Sequence, residues 1–263
     1  MVKTSLIQPR ASEKMDAIFN ALEDGWPNAK RNRHIADLYF FWGLIGNNAN
    51  MMKAGKPFMF VDMPYNGRWL PGSDYDSSFW RVCKNGLHNN DKLNVDQSRF
   101  DSWGVKLEPM REGNHILICP SSETMTHYLT GLSSEEWMVE MFRELRKHTN
   151  RPIKARIKPR KNGTSGPAAG GIPIEEDLKN CHAVVTLASL TAIDALKAGV
   201  QVFSNSSVCP SAWCTNSNFS QINKLSNSDD RIELFSNLAW KQYSIAEMRS
   251  GFCYENSARL FHN

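Results

Sequence analysis

The second half of the chain alternates between short apolar runs and segments with helical periodicity. In chain order, strand-like and helix-like patterns cover residues 115–120, 134–148, 153–159, 174–181, 183–187, 191–198 and 200–204. Strands that are apolar on both sides must be covered on both faces, which is typical of parallel sheets flanked by helices. The pattern therefore predicts an α/β fold, with a Rossmann-like unit of parallel strands over residues 115–263.

The first half of the chain is less regular. Its periodicity predicts an amphipathic helix over residues 11–24. Strands are predicted at residues 34–45, 58–63, 79–83 and 105–107. Residues 64–115 are otherwise polar and rich in tryptophan, which is typical either of a long functional connection or of short elements that the pattern does not reveal. We predict a small, irregular α/β unit with a long polar insertion over residues 1–114, and we expect the last helix of the chain to pack back on it.

Composition limits the function only weakly. The 263 residues carry a net charge of +4, which permits an anionic ligand or a nucleic acid without requiring either. No stretch approaches the roughly 20 apolar residues that span a bilayer, and the first residues lack the apolar core of a signal peptide. The six cysteines do not have the spacing of zinc ligands. We therefore expect a reduced, cytoplasmic protein without a membrane span.

Positive charge is concentrated in two short segments, KRNRH at 30–34 and RPIKARIKPRK at 151–161. Charge runs of this kind often form a solvated face, but they also suit a polyanion such as a nucleic acid. The net charge of the chain is too small to choose between these two interpretations.

Hydroxyl and basic residues follow three of the predicted strands. They are Ser121 and Ser122, Lys158 and Arg160, and Ser189 and Thr191. In an open parallel sheet, ligands bind beyond the carboxyl ends of the strands, and the N–H groups at a helix start attract anions. Ser and Thr are also ordinary helix N-caps, so one junction of this kind carries little weight. Three of them at one edge of a sheet predict an anion site.

The order of these motifs resembles the C-terminal half of the GT-B nucleotide-sugar glycosyltransferases, with the closest likeness to those of capsule and sialic-acid type. That family has K-x-H-P or K-P-H-P after a strand, where this chain has Lys158-Pro159-Arg160. It also has S-(S/T)-x-x-x-x-E-A-L-x-x-G at a strand–helix junction. This chain has SLTAIDALKAG at 189–199, with Asp194 in place of the glutamate. The resemblance covers residues 115–205, and WRVCKNGLHNN and LAWKQYSIAEMRSG also look like stretches of phage-encoded proteins.

The resemblance implies a GT-B-like fold of two Rossmann-like units and a nucleotide-sugar donor, UDP- or CMP-linked, with no further cofactor. The residues that it assigns to the donor and its phosphates are Ser121, Ser122, Lys158, Arg160, Ser189, Leu190, Thr191 and Asp194. Lys158 and Arg160 would neutralise the departing phosphate, and the backbone around Leu190 would bind it. Asp194 would accept a ribose hydroxyl, although a carboxylate also favours the first turn of any helix.

The acceptor side would supply the catalytic base, because GT-B enzymes usually take it from the N-terminal half. The candidates are Asp62, Asp74, Asp76 and His88, and Asp62 is the best placed because it lies at the end of a predicted strand. Arg81 and Trp42 are candidate ligands of the acceptor. An ordinary ion pair and ordinary core packing would explain these two residues equally well.

We interpret the chain as a glycosyltransferase. Its acceptor would be a surface glycan or a hydroxymethylated base of phage DNA, and such a base would have to leave the stack to react. The letters Asp74-Tyr75-Asp76 match a D-x-D metal motif, but no metal site is expected because this fold usually needs none. A non-catalytic nucleotide- or nucleic-acid-binding protein and a sugar-nucleotide epimerase stay open as alternatives. The sequence also leaves the oligomeric state open.

Overall fold

The structure is a computed structural model that describes residues 2–67, 74–88, 90–157, 173–226 and 230–261. The chain divides into two compact units, Met1–Trp103 with Ser236–Asn263, and Gly104–Phe235. The division differs from the predicted boundary at 114/115, which lies inside the second unit.

The structure contains strands and helices in both units. The strands are β1 (Thr4–Ile7), β2 (Ala29–Arg31), β3 (Leu38–Trp42), β4 (Phe58–Asp62), β5 (Phe79–Lys84), β6 (His115–Cys119), β7 (Ile153–Ala155), β8 (Cys181–Thr186), β9 (Gln201–Phe203), β10 (Thr215–Asn216) and β11 (Gln242–Ser244). The helices are α1 (Glu13–Gly25), α2 (Asn48–Lys53), α3 (Ser98–Asp101), α4 (Glu123–Thr130), α5 (Ser134–Arg146), α6 (Ile174–Leu178), α7 (Thr191–Lys197), α8 (Arg231–Ala239), α9 (Ile245–Arg249) and α10 (Phe252–Phe261).

The sheet of the first unit has six strands in the order β11-β5-β4-β3-β1-β2. Strands β2, β1, β3 and β4 are parallel, whereas β5 is antiparallel to both of its neighbours. Six strands make this unit larger than the sequence pattern predicts. The additional strands β1, β2 and β11 have four residues or fewer, which is too short to show a strand pattern of their own.

Helices α1 and α9 cover one face of this sheet. Leu6 and Phe40 from the sheet are fully buried in one core cluster with Phe19 of α1. Burying each such side chain contributes about 1.5–3 kcal/mol to folding. The two helices approach so closely at Gly25 that a Cβ atom there would lie 1.9 Å from the carbonyl oxygen of Met248. This face is therefore a closed core.

The apolar pattern of RIELFSNLAWKQYS predicts one amphipathic helix over residues 231–244, and this prediction is wrong in its last part. Helix α8 ends at Ala239, and Gln242–Ser244 form β11, which pairs with β5. The side-chain oxygen of Gln242 accepts hydrogen bonds from the N–H groups of Tyr65 (2.9 Å) and Asn66 (3.1 Å). These partners are remote in sequence, so helical periodicity does not reveal them.

The sheet of the second unit has five strands, all parallel, in the order β10-β9-β8-β6-β7. This topology confirms the predicted Rossmann-like unit. The predicted strand at 105–107 is wrong, because that segment lies against the end of α7 instead. There the N–H groups of Glu108 and Arg111 donate to the carbonyl groups of Lys197 and Gly199, each over 2.9 Å.

All six cysteines are buried, and none of them forms a disulfide in this structure. Within the described part of the chain, no helix has the length and apolar character that crossing a bilayer requires.

Candidate functional site

The carboxyl ends of β6 and β8 lie side by side in the second unit. These strands are adjacent and parallel, and Cys119 is opposite Thr186 at their last paired position. Just beyond them, the N–H of Ala188 donates a hydrogen bond of 3.0 Å to the Oγ of Ser121. The turns after β6 and β8 are therefore joined at the edge where open α/β sheets bind their ligands.

Four hydroxyl side chains gather at this edge, and we call Ser121, Thr186, Ser189 and Thr191 the hydroxyl cluster. The Oγ1 of Thr186 donates to the carbonyl of Cys119 over 2.6 Å and accepts from the N–H of Ser189 over 3.4 Å. The Oγ of Ser189 and the Oγ1 of Thr191 lie 3.0 Å apart. The sequence pattern does not reveal Thr186, because a threonine at the end of an apolar strand looks like a core residue.

Ser189 also lies at the start of α7, directly before the N-cap residue Leu190. Its Oγ accepts from the N–H of Thr191 over 3.3 Å, and its carbonyl accepts from the N–H of Ala192 over 3.1 Å. Ser189 therefore accepts hydrogen bonds from two amide groups at this junction, whereas among the described residues the amide of Leu190 donates to none.

Two further residues assigned to the donor have structural roles of their own. The Oγ of Ser122 accepts from the N–H of Met125 over 3.4 Å and so caps α4. Asp194 lies in the first turn of α7, where the helix dipole favours a carboxylate. For Ser122 and Asp194, a role in donor binding and an ordinary role at a helix start therefore both stay open.

Lys158 and Arg160, the cations expected to neutralise the donor phosphate, lie outside the described residues. A cation that the structure does place near this edge is Arg156, which directly follows β7. Its N–H donates to the carbonyl of Ile118 over 2.9 Å, and its guanidinium forms an ion pair with Asp177 of α6. Sequence reasoning overlooks Arg156 because it falls inside the strand pattern at 153–159.

The cysteine at this edge is not a nucleophile. Cys119 is buried at the end of β6, next to the hydroxyl of Thr191. Burial raises the pKa of its thiol far above the usual range. The thiol therefore stays protonated, and only a thiolate would react.

In the first unit, Asp62 and Arg81 form an ion pair at the carboxyl end of β4. The two residues are directly opposite each other on β4 and β5, and an Nη2 of Arg81 lies 3.0 Å from Oδ2 of Asp62. Arg81 is 3% exposed and also donates to the carbonyl groups of Met63 (2.6 Å) and Leu87 (3.2 Å). In this structure the guanidinium holds the Asp62 carboxylate in place, whereas the sequence suggests a ligand of the acceptor.

His88 lies in the same neighbourhood. It is buried, and its ring centroid is 5.9 Å from that of Tyr65. The guanidinium of Arg81 lies over the same Tyr65 ring at 6.0 Å. Arg81 therefore connects the surroundings of Asp62 and His88, which are separate in the sequence.

Trp42 ends β3, the strand next to β4, and is half-buried. Its ring packs edge-on against Trp80 with 5.0 Å between the centroids. Packing in the core thus accounts for the buried part of the Trp42 side chain. Because Trp42 lies at the end of β3, it is at the same sheet edge as Asp62.

The D-x-D letters belong to a turn before β5. The carboxylate of Asp74 accepts from the N–H of Asp76 over 3.0 Å, and Asp76 pairs with Arg249 at 3.1 Å. Across the residues that the structure describes, no three His, Cys, Asp or Glu side chains are close enough together to hold a metal ion.

Proteins of known structure share this architecture. No protein-family model matches the chain, and no curated protein matches its sequence. Among solved structures, the KpsC β-Kdo 2,4 transferase of Thermosulfurimonas dismutans superposes with a TM-score of 0.55 over 92% of both chains, at 11% identity. The KpsC β-Kdo 2,7 transferase of the same organism superposes with a TM-score of 0.52 over 97% of this chain and 99% of that chain, at 10% identity. The chain has a GT-B-like fold.

This likeness confirms the α/β, GT-B-like fold expected from the motifs at 115–205 and extends it to most of the chain. At 11% identity it concerns the fold alone, because one fold hosts many functions. The activity of the chain therefore depends on the residues at the edges of its sheets.

Proposed function

We propose that the chain is a glycosyltransferase that moves a sugar from a nucleotide-sugar to a hydroxyl group of a glycan. The observation that carries this proposal is the hydroxyl cluster, with the available amide of Leu190, at the carboxyl edge of a parallel sheet in a GT-B-like fold. Hydroxyl and amide donors are what a phosphate group binds. The two solved structures named above are Kdo transferases, which supports a sugar as the transferred group.

The donor is proposed to be a UDP- or CMP-linked sugar. Ser121, Ser189, Thr191 and the Leu190 amide would bind its phosphate, whereas Thr186 holds the two turns together from below. Lys158 and Arg160 would neutralise the charge that develops on the leaving group. Ser122 would reach a phosphate or the sugar, and Asp194 a ribose hydroxyl. The scheme uses no metal, because the two cations take over its electrostatic role.

Asp62 is proposed as the catalytic base. In an inverting transfer the acceptor oxygen attacks the anomeric carbon, the bond from that carbon to the phosphate oxygen breaks, and the hydroxyl proton passes to the base. Arg81 fixes the orientation of the Asp62 carboxylate, and Trp42 on the next strand offers an aromatic surface for a sugar. His88, which is buried, and Asp74, which holds a turn, rank after Asp62.

We expect one nucleotide from a set of UDP, GDP and CMP to raise the melting temperature in a thermal-shift screen. A ligand at a hundredfold its dissociation constant stabilises a protein by about 2.7 kcal/mol. Lys158→Ala should remove most of that shift, because it removes a cation from the proposed phosphate site. Lys154→Ala is the matched control, since Lys154 is an exposed lysine on β7 and should leave the shift intact. An undiminished shift in Lys158→Ala would count against this phosphate site.

Asp62→Asn should lower kcat about 10²- to 10⁴-fold, the range that general base catalysis contributes. The readout is nucleotide release from the nucleotide-sugar of the selected base, with glycans as acceptors. Nucleotide affinity should change less than twofold, because the proposed donor residues belong to the second unit. Asp101→Asn, an exposed carboxylate of the first unit, serves as the control. Full kcat in Asp62→Asn would transfer the role of base to His88 or Asp74.

The acceptor and the alternatives are separated by the products of the same assay. Transfer to duplex DNA with hydroxymethylated bases, and not to glycans, would replace the glycan in this proposal by DNA. Isomerisation of the nucleotide-sugar without an acceptor would indicate an epimerase. Nucleotide binding without any turnover would indicate a binding protein.

A further inference from the structure

The first unit contains a cavity of about 450 Å³ on the face of its sheet that α1 does not cover. We call this cavity the basic pocket, and we define it by Arg33, His34, Lys56, Tyr39 and Phe41. Tyr39 and Phe41 alternate along β3 with Phe40, which points into the core under α1. The basic pocket is therefore separate from that core.

The basic residues of the segment KRNRH lie on both faces of the first unit's sheet. Arg31 pairs with Asp16 (2.9 Å) and Glu23 (3.4 Å) of α1, so its charge is compensated. Arg33 and His34 line the basic pocket instead. Among the described residues, no carboxylate pairs with Arg33, His34 or Lys56. The pocket thus carries uncompensated positive charge.

The lining differs between the floor and the rim. The rings of Tyr39 and Phe41 lie parallel with 6.3 Å between centroids, and they are only 4% and 1% exposed. Rings this buried leave little area for a nucleobase to stack on. The rim presents hydrogen-bond donors, and the Nζ of Lys56 lies 5.5 Å from the centroid of the Tyr39 ring. Such a rim suits a ligand that is rich in oxygen acceptors.

We propose that the basic pocket binds a small saccharide that carries a carboxylate or a phosphate. Its volume lies within the range of pockets that enclose small organic ligands, roughly 300–1,000 Å³. Arg33 can bind either anion through two parallel hydrogen bonds, and Lys56 adds a point charge. His34 would donate to a sugar hydroxyl. This site is independent of the proposed donor site, because it lies wholly in the first unit.

Isothermal titration of the full chain with four probes tests this proposal. Glucuronate supplies a carboxylate, glucose 6-phosphate supplies a phosphate, and glucose and inorganic phosphate are the neutral and sugar-free references. We expect at least one of the two anionic sugars to bind, and each reference to bind at least tenfold more weakly. The comparison of glucuronate with glucose 6-phosphate identifies the anion that the pocket prefers.

Variants then locate the binding. Arg33→Ala combined with Lys56→Ala should weaken the anionic sugar at least tenfold, whereas Lys53→Ala, an exposed lysine of α2 outside the pocket, should change it less than twofold. Ser189→Ala combined with Thr191→Ala should leave this binding unchanged and reduce nucleotide binding. The proposal is overturned if neither anionic sugar binds, if inorganic phosphate binds equally well, or if the pocket variant keeps full affinity.

Discussion

Gly199→Ala is expected to lower the free energy of unfolding by about 3–5 kcal/mol, through backbone strain and overpacking together. Gly199 follows α7 with a φ of +69°, a conformation that L-residues rarely adopt. A Cβ atom there would lie 2.0 Å from the carbonyl oxygen of Pro109 and 3.0 Å from that of Glu108. Both neighbours are backbone atoms, so neither can turn aside as a side chain would.

The segment around Pro109 is also unable to retreat. The N–H of Glu108 donates to Lys197 and the N–H of Arg111 donates to Gly199 itself, each over 2.9 Å. Relief of the clash would break these hydrogen bonds and detach the segment from the second unit. Urea denaturation followed by far-UV circular dichroism would measure the loss.

Gly131→Ala is the matched control for this substitution. Gly131 follows α4 with a φ of +78°, but nothing lies within 4 Å of a Cβ atom built there. It should therefore cost only the left-handed backbone penalty of about 1 kcal/mol. Equal losses in Gly199→Ala and Gly131→Ala would show that the close contact with Pro109 is absent in solution.

Arg81→Ala is expected to destabilise the protein by about 2–4 kcal/mol, which is below the full cost of breaking a buried ion pair because the Asp62 side chain is 25% exposed. The guanidinium is 3% exposed and donates to Asp62, Met63 and Leu87. Its removal would leave a carboxylate and two carbonyl groups without this donor. Thermal or urea unfolding would report the loss of stability directly.

Arg249→Ala provides the comparison for Arg81. Arg249 also forms an ion pair, with Asp76 at 3.1 Å, but its side chain is 46% exposed. An exposed pair contributes about 0–1 kcal/mol, so this variant should unfold almost as the natural protein does. If the loss of stability arises mainly from the unpaired Asp62 carboxylate, Arg81→Ala should destabilise the Asp62→Asn variant clearly less than it destabilises the natural protein. An unchanged cost there would mean that the carbonyl groups of Met63 and Leu87 dominate.

The regular part of the second unit could be predicted from local patterns. The predicted strands at 115–120 and 183–187 correspond to β6 and β8, and the predicted helix at 191–198 to α7. Each of these segments has an apolar pattern that reports its own burial. Helix α4 lacks such a pattern. Its sequence ETMTHYLT has only a weak apolar face, and its N-cap residue Ser122 also fits an ordinary polar turn.

The sequence predicts which residues of the candidate site follow strands, but it does not predict which of them contact one another. Ser121 and Ser189 follow predicted strands, and the structure joins their turns through the hydrogen bond from Ala188 to Ser121. Thr186 and Arg156 are not identified in this way, because both lie within predicted strands and not after them. The partnership of Arg81 with Asp62 depends on the pairing of β4 with β5, which no local pattern specifies.

Local patterns are enough to predict an α/β protein with a parallel sheet in its second half, and to place hydroxyl residues after two interior strands of that sheet. Periodicity and apolar content carry this information within each segment. Contacts between remote segments place Gln242 in a strand and Arg81 opposite Asp62. They also place Arg33 at the basic pocket, whereas Arg31 pairs with α1 on the other face of the sheet. Those outcomes depend on partners as far as 177 residues away, and contacts over such distances are set by the packing of the whole unit.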